Sequence, residues 1–126
     1  MTTQSNQQGS IFILPQAIKT VARNAALQSY GVISLAPANP AETVSRFFKK
    51  EANVGILVET EEDGVSLEIN LIVEYGLRIP DVALQVQEKV KEAVETATGL
   101  AVIEVNVHVQ GVGFSQGDTD EELRLR

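Results

Sequence analysis

From Val65 onward, apolar and polar side chains alternate. Val65, Leu67, Ile69, Leu71 and Val73 fall on one side, and Ser66, Glu68, Asn70 and Glu74 on the other. A period of two over this length predicts a strand across 65–75 with one face buried and the other mostly wet. A strand is also predicted across 54–60. The loop between them, Glu61-Glu62-Asp63-Gly64, places Asp-Gly where a tight hairpin turn needs it. Near the end of the chain, Ile103, Val105, Val107 and Val109 alternate with Glu104, Asn106, His108 and Gln110, which predicts a last one-sided strand. Shorter strands are predicted at 10–14 and 32–35.

Two segments change period. After Pro15, which suits a first helical turn, Ile18, Val21, Ala22 and Ala25 recur at helical spacing and the helix closes near 29–31, where Gly31 offers a left-handed end. The longer helix starts at Pro80 or Asp81. Its stripe is Val82, Val86, Val90, Ala93, Val94 and Ala97, with Glu88, Lys91, Glu92 and Glu95 opposite and Gly99 as its end. A third, short helix opens at Asn39-Pro40, a cap and first-turn pair, and carries Val44, Phe47 and Phe48 on one side.

The element order is therefore β-α-β-(short α)-β-β-α-β. Single-faced strands with two main helices predict an α+β fold of two layers: a mostly antiparallel or mixed sheet with both helices on one face. Residues 1–9 read as a flexible lead, 10–114 as one folded domain and 115–126 as a flexible polar tail. A chain of 126 residues with 44% apolar content has enough core for a single domain without a disulfide or metal.

Charge and composition then narrow the function. The chain has no Cys, which removes a disulfide framework, a thiolate zinc site and a Cys nucleophile together. Met1 to Gly9 has neither a basic nor an apolar stretch, unlike a secretory signal. No apolar run approaches the roughly 20 residues of a spanning helix. A net charge of −7 repels nucleic-acid phosphates and anionic headgroups alike, so nucleic acid is a disfavoured partner.

Candidate chemistry is thin. His108 is the single His, and general-base work needs a partner within hydrogen-bond reach, for which Glu104 or Glu74 is the nearest choice in the pattern. Gly111-Val112-Gly113 lacks the third glycine and the following helix of a phosphate loop. The acidic loop at Glu59, Glu61, Glu62 and Asp63 lacks the spacing of a calcium loop. No catalytic, cofactor or metal residues are assigned, and the chain is not expected to be an enzyme. One cluster fits an interaction surface: Arg46, Lys49 and Lys50 beside Phe47 and Phe48 on the short helix, a basic amphipathic segment able to dock on a partner.

Several short motifs, taken in order, resemble one family. They are Tyr75-Gly76 at a strand end, Val86-Gln87, Val90-Lys91 and Val94-Glu95 on the helix, Thr98-Gly99-Leu100 at its close, and Val105-Asn106-Val107-His108-Val109 followed by Gly111-Val112. Together with Ile18 through Ala22 and the turn Tyr30-Gly31-Val32, they resemble the alkaline shock protein family, the envelope-stress proteins of Gram-positive bacteria. Tyr30 stands where that family commonly has Pro. The resemblance spans about residues 10–114. It implies a small cytoplasmic protein without known catalytic residues or cofactors, tied to envelope homeostasis. It also implies self-association and, for some members, a membrane-anchored protein partner. Gly76, Gly99 and Asn106 match as structural positions. The expected function is a non-enzymatic envelope scaffold or binding module, and the alternative is an RNA- or ribosome-associated module.

Overall fold

The computed structural model describes residues 2–6, 9–37 and 55–114, with side chains from residue 9 onward. The short helix after Asn39-Pro40 and the tail 115–126 lie outside the described residues.

The elements are β1 (Thr2–Asn6), β2 (Gly9–Ile13), α1 (Pro15–Leu27), β3 (Val32–Leu35), β4 (Ile56–Glu61), β5 (Gly64–Glu74), α2 (Ile79–Thr98) and β6 (Val102–Gly113). Strand β5 is the centre of a four-stranded sheet. On one edge it pairs antiparallel first with β4, from Glu61↔Gly64 to Ile56↔Ile69, and then with β3, through Leu35↔Leu71 and Val32↔Val73. Along the other edge it pairs with β6 in parallel, from Val65↔Val102 to Glu74↔Gly113. Parallel neighbours need a crossover, and α2 supplies it. The sheet is thus mixed.

Both helices cover one face of the sheet. From that face Val65, Leu67, Ile69, Leu71 and Val73 meet Ile18, Ala22, Ala25 and Ala26 of α1 and Val82, Val86, Val90 and Val94 of α2. Burying each of the larger aliphatic side chains contributes about 1.5–3 kcal/mol, so this layer of Val, Ile and Leu carries the fold with no aromatic residue in it. The α1 stripe shifts by one step from its predicted position: Ala26 is buried and Val21 only half-buried. In α2, Ala93 is half-buried and Ala97 exposed. Gly99 ends α2 in the left-handed conformation, φ 75°, and its N–H donates to the Glu95 carbonyl.

Three features depart from the sequence pattern. Residues 2–6 form β1, which pairs antiparallel with β2 in a separate two-stranded sheet. Ile103 does not share the face of Val105, Val107 and Val109. β6 holds one residue more than β5 between Val102 and Glu104, so Ile103 sits in a bulge at 48% exposure and Val102 turns inward instead. A second bulge falls at Gln110, between Val109 and Gly111. Finally Asn70, predicted on the wet face of β5, is buried.

Candidate functional site

Asn70 marks the point on β5 where the edge passes from β4 to β3. Its N–H and its side-chain Nδ2 both donate to the Gly55 carbonyl, at 2.9 and 3.0 Å, while its own carbonyl accepts from the Ala36 N–H at 2.9 Å. Its Oδ1 accepts from Gln110 Nε2 of β6 at 2.7 Å. The side chain therefore has partners at both ends and ties together the surroundings of three strands, which is how a buried amide is kept at low cost.

Around Asn70 spreads the sheet face that the helices leave bare. Strand β5 supplies Ser66, Glu68, Ile72 and Glu74, β4 supplies Leu57, Glu59 and Glu61, and β6 supplies Glu104, Asn106 and His108. Every Lys and Arg among the described residues lies elsewhere, on α1, on α2 or at Arg78 before it. This face is consequently acidic, with His108 its one cationic prospect among the described residues. A shallow depression of about 240 Å³ lies between Leu57, Glu59, Ser66, Glu68, Glu104 and Asn106.

His108 does not use Glu104 or Glu74. Its Nε2 lies 3.1 Å from Glu68 Oε1, with the two side chains 49% and 46% exposed. The parallel register puts Asn70 opposite His108 and Glu68 opposite Asn106, so Glu68 reaches His108 diagonally. Ser66 donates its hydroxyl to Glu61 Oε2 at 2.8 Å, so it is turned to a carboxylate and not to an imidazole. An open His–Glu pair without an enclosing cleft can bind and exchange protons with solvent, and it presents no aligned nucleophile. Among the described residues, no three acidic or imidazole groups converge as metal ligands.

The second open feature is the outer edge of β6. This twelve-residue strand pairs only with β5 among the described residues. Its start is partly covered by α2: Glu95 Oε2 accepts the Val102 N–H at 3.0 Å and Gln87 Nε2 donates to the Val105 carbonyl at 3.0 Å. Beside these contacts runs a groove of about 390 Å³ lined by Leu84, Gln87, Lys91 and Val105. Past it, Tyr75 and Phe114 pair at 5.4 Å between ring centroids, both well exposed. The basic cluster Arg46, Phe47, Phe48, Lys49 and Lys50 lies outside the described residues, so it is not placed relative to any of these surfaces.

The periodicity made the acidic side of β5 visible, but neither Asn70's burial nor the Glu68–His108 contact. Both depend on which strand lies beside β5 and in which register, and local spacing carries no signal for that.

No described helix is long and apolar enough to cross a membrane. In sequence the chain is 29% identical to the uncharacterized protein YqhY of Bacillus subtilis (strain 168), over 98% of this chain and 94% of that one. It is 38% identical to the uncharacterized protein YloU of the same organism, over 82% and 88% of the two chains. It is 33% identical to the uncharacterized protein Spy1535 of Streptococcus pyogenes, over 82% and 79%. Among solved structures a MamM CTD variant aligns over 76% of this chain and 93% of its own, with a TM-score of 0.48 at 12% identity, a partial likeness of chain path. A family model matches residues 3–114, nearly the whole of the described chain, and by that match the protein belongs to the alkaline shock protein family, whose function is described as cell envelope-related.

Proposed function

We propose that this protein serves the cell envelope as a scaffold or binding module, acting through self-association or a membrane-anchored protein partner and not through catalysis. The observation that supports this most is the one-sided sheet. Its bare face and its long β6 edge offer backbone and side-chain groups for pairing, while the His108–Glu68 pair stands open to solvent. Edge strands are ready templates for a partner's strand. The setting is cytoplasmic, with membrane association mediated by the partner. The basic segment Arg46, Phe47, Phe48, Lys49 and Lys50 is the proposed contact to that partner, since cations beside aromatics suit docking on a complementary surface.

The RNA-binding alternative is disfavoured by the acidic face: Glu59, Glu61, Glu68, Glu74 and Glu104 all project from it, and carboxylates repel phosphates.

The test is fractionation of the native host into membrane and cytosol, with and without a high-salt wash, followed by co-purification. Membrane retention with a co-purifying membrane protein supports the proposal. Reversing the charges at Lys49 and Lys50 is expected to release the protein from that fraction. Release unchanged from the parent chain would remove the segment from the contact. A wholly soluble protein that sediments as a monomer would remove the scaffold reading.

A further inference from the structure

Two parts of the chain leave strand edges open among the described residues, and both lack the charges that guard such edges elsewhere in the same molecule. On the β3/β4 side, the sheet edge is protected in the usual ways: β3 has only four residues and an irregular register, and β4 carries Glu59 and Glu61 and leads into Glu62 and Asp63. The opposite edge is different. From Val105 to Gly113, β6 has no Asp, Glu, Lys or Arg, and its one titratable residue, His108, is engaged by Glu68. The β1–β2 hairpin is equally bare: no charged side chain and no His occurs from Thr2 to Ile18.

The hairpin also has no third strand among the described residues. Two strands alone are at best marginal in water, and a third strand or a packed face is needed for stability. Ile13 packs against the core, yet Ile11, Phe12 and Leu14 are 49%, 58% and 55% exposed.

We infer that the β1–β2 hairpin of one copy docks on the outer edge of β6, over its Val107–Gly113 half, in a second copy. This rests on the self-association part of the function proposed above and names its surfaces. Within one chain the two do not meet. α1 delivers the chain to the start of β3, which lies beside Val73 at the end of β5, so α1 begins at the opposite end. α1 also packs over β3 and β4, on the side of the sheet away from β6. The hairpin that precedes Pro15 thus sits diagonally across the sheet from Val107–Gly113. Strands of five residues span roughly 17 Å, too short to cross to that corner.

Charge selects this pairing among copies. Two chains of net charge −7 repel, and least where both surfaces are neutral. The contact is heterologous, each copy giving a hairpin and receiving one, so it builds a ring or an open chain of copies.

The absence of Cys makes the test direct. Phe12→Cys marks the hairpin and Val112→Cys marks the edge, both at exposed positions. The two full-length variants are mixed in equal amounts and treated with a short, flexible bismaleimide, whose reach covers neighbouring registers. A linked dimer is expected in the mixture at several times the yield of either variant alone. In sedimentation velocity, Ile11→Lys should weaken association by about tenfold or more, the equivalent of about 1.4 kcal/mol. The inference is overturned if either variant links to itself as well as the mixture does, or if the mixture stays unlinked while the chains associate. That second result leaves self-association standing. A chain that is monomeric at every concentration overturns both.

Discussion

Asn70 grips Gly55 twice, its backbone N–H and its side-chain Nδ2 converging on the same carbonyl oxygen at 2.9 and 3.0 Å. That carbonyl stands at the entrance to β4, and the Asn70 carbonyl in turn accepts the N–H of Ala36 just past β3. One amide therefore holds two strands end to end along a single edge of β5. Gln110, the residue that bulges from β6, closes the arrangement from the other edge through Asn70 Oδ1.

Asn70→Ala removes one of the two bonds to Gly55 and strands the Gln110 amide. Leaving a buried polar group unsatisfied costs about 1–3 kcal/mol, so the urea midpoint should fall by that amount with an unchanged slope. Asn70→Asp should cost more at neutral pH, because a buried carboxylate oxygen would face the Gly55 carbonyl. Protonating that carboxyl restores a donor, so the extra penalty should shrink as pH falls. Equal stability of the two variants across pH would show that the Gly55 contact contributes nothing.

Gly55 is constrained from its own side as well. Its φ is +89°, and a Cβ there would overlap the Ala36 carbonyl oxygen. Gly55→Ala therefore combines backbone strain of about 1–3 kcal/mol with a steric conflict that moves the very strand end Asn70 holds. Gly113→Ala is the control, since its Cβ would meet only Ile33 and Ile72 side-chain atoms at 3.6 and 3.8 Å, with ordinary φ. It should remain within about 0.5 kcal/mol of the parent. Thermal unfolding of both decides, and comparable losses would refute the close-approach account.

The same neighbourhood shows what the sequence made legible and what it concealed. The helices and β5 were readable because Val82, Val86, Val90 and Val94, and Val65 through Val73, each follow one unbroken period that packing then respects. The inward turn of Val102 in place of Ile103 was not, because a bulge adds a residue that alternation has no means of marking. β1 was hidden for another reason: Thr, Gln, Ser and Asn give it no apolar period at all. On the bare face, Glu68 and His108 are 40 residues apart and meet only because β6 runs parallel to β5 after a helical crossover. Glu104, closer in sequence, shares the face with His108 without being its partner.

That His108–Glu68 contact is predicted to be weak and dispensable. Both side chains are about half exposed, and exposed ion pairs typically couple by about 0.2–1 kcal/mol. A double-mutant cycle with His108→Gln and Glu68→Gln should return a coupling in that range or below, and neither change should alter membrane retention or sedimentation. A coupling of several kcal/mol, or loss of retention with either single variant, would make the pair a working part of the molecule.

The α2 side chains that cover the start of β6 offer the sharpest separation of stability from association. Gln87 occupies the Val105 carbonyl and Glu95 the Val102 N–H, so both commit a hydrogen bond to an edge another strand would otherwise use. Each contributes about 1 kcal/mol to folding, with the charged Glu95 bond the stronger of the two. Gln87→Ala combined with Glu95→Ala should therefore lower stability by about 2–3 kcal/mol, read from urea unfolding. It should also lengthen the open edge from Val107–Gly113 toward Val102, and sedimentation velocity should show association at lower protein concentration. These two effects have opposite signs only if α2 shields the edge. Loss of stability with unchanged association would confine pairing to the second half of β6. Weaker association would mean that the Gln87 and Glu95 side chains themselves form part of the docking surface.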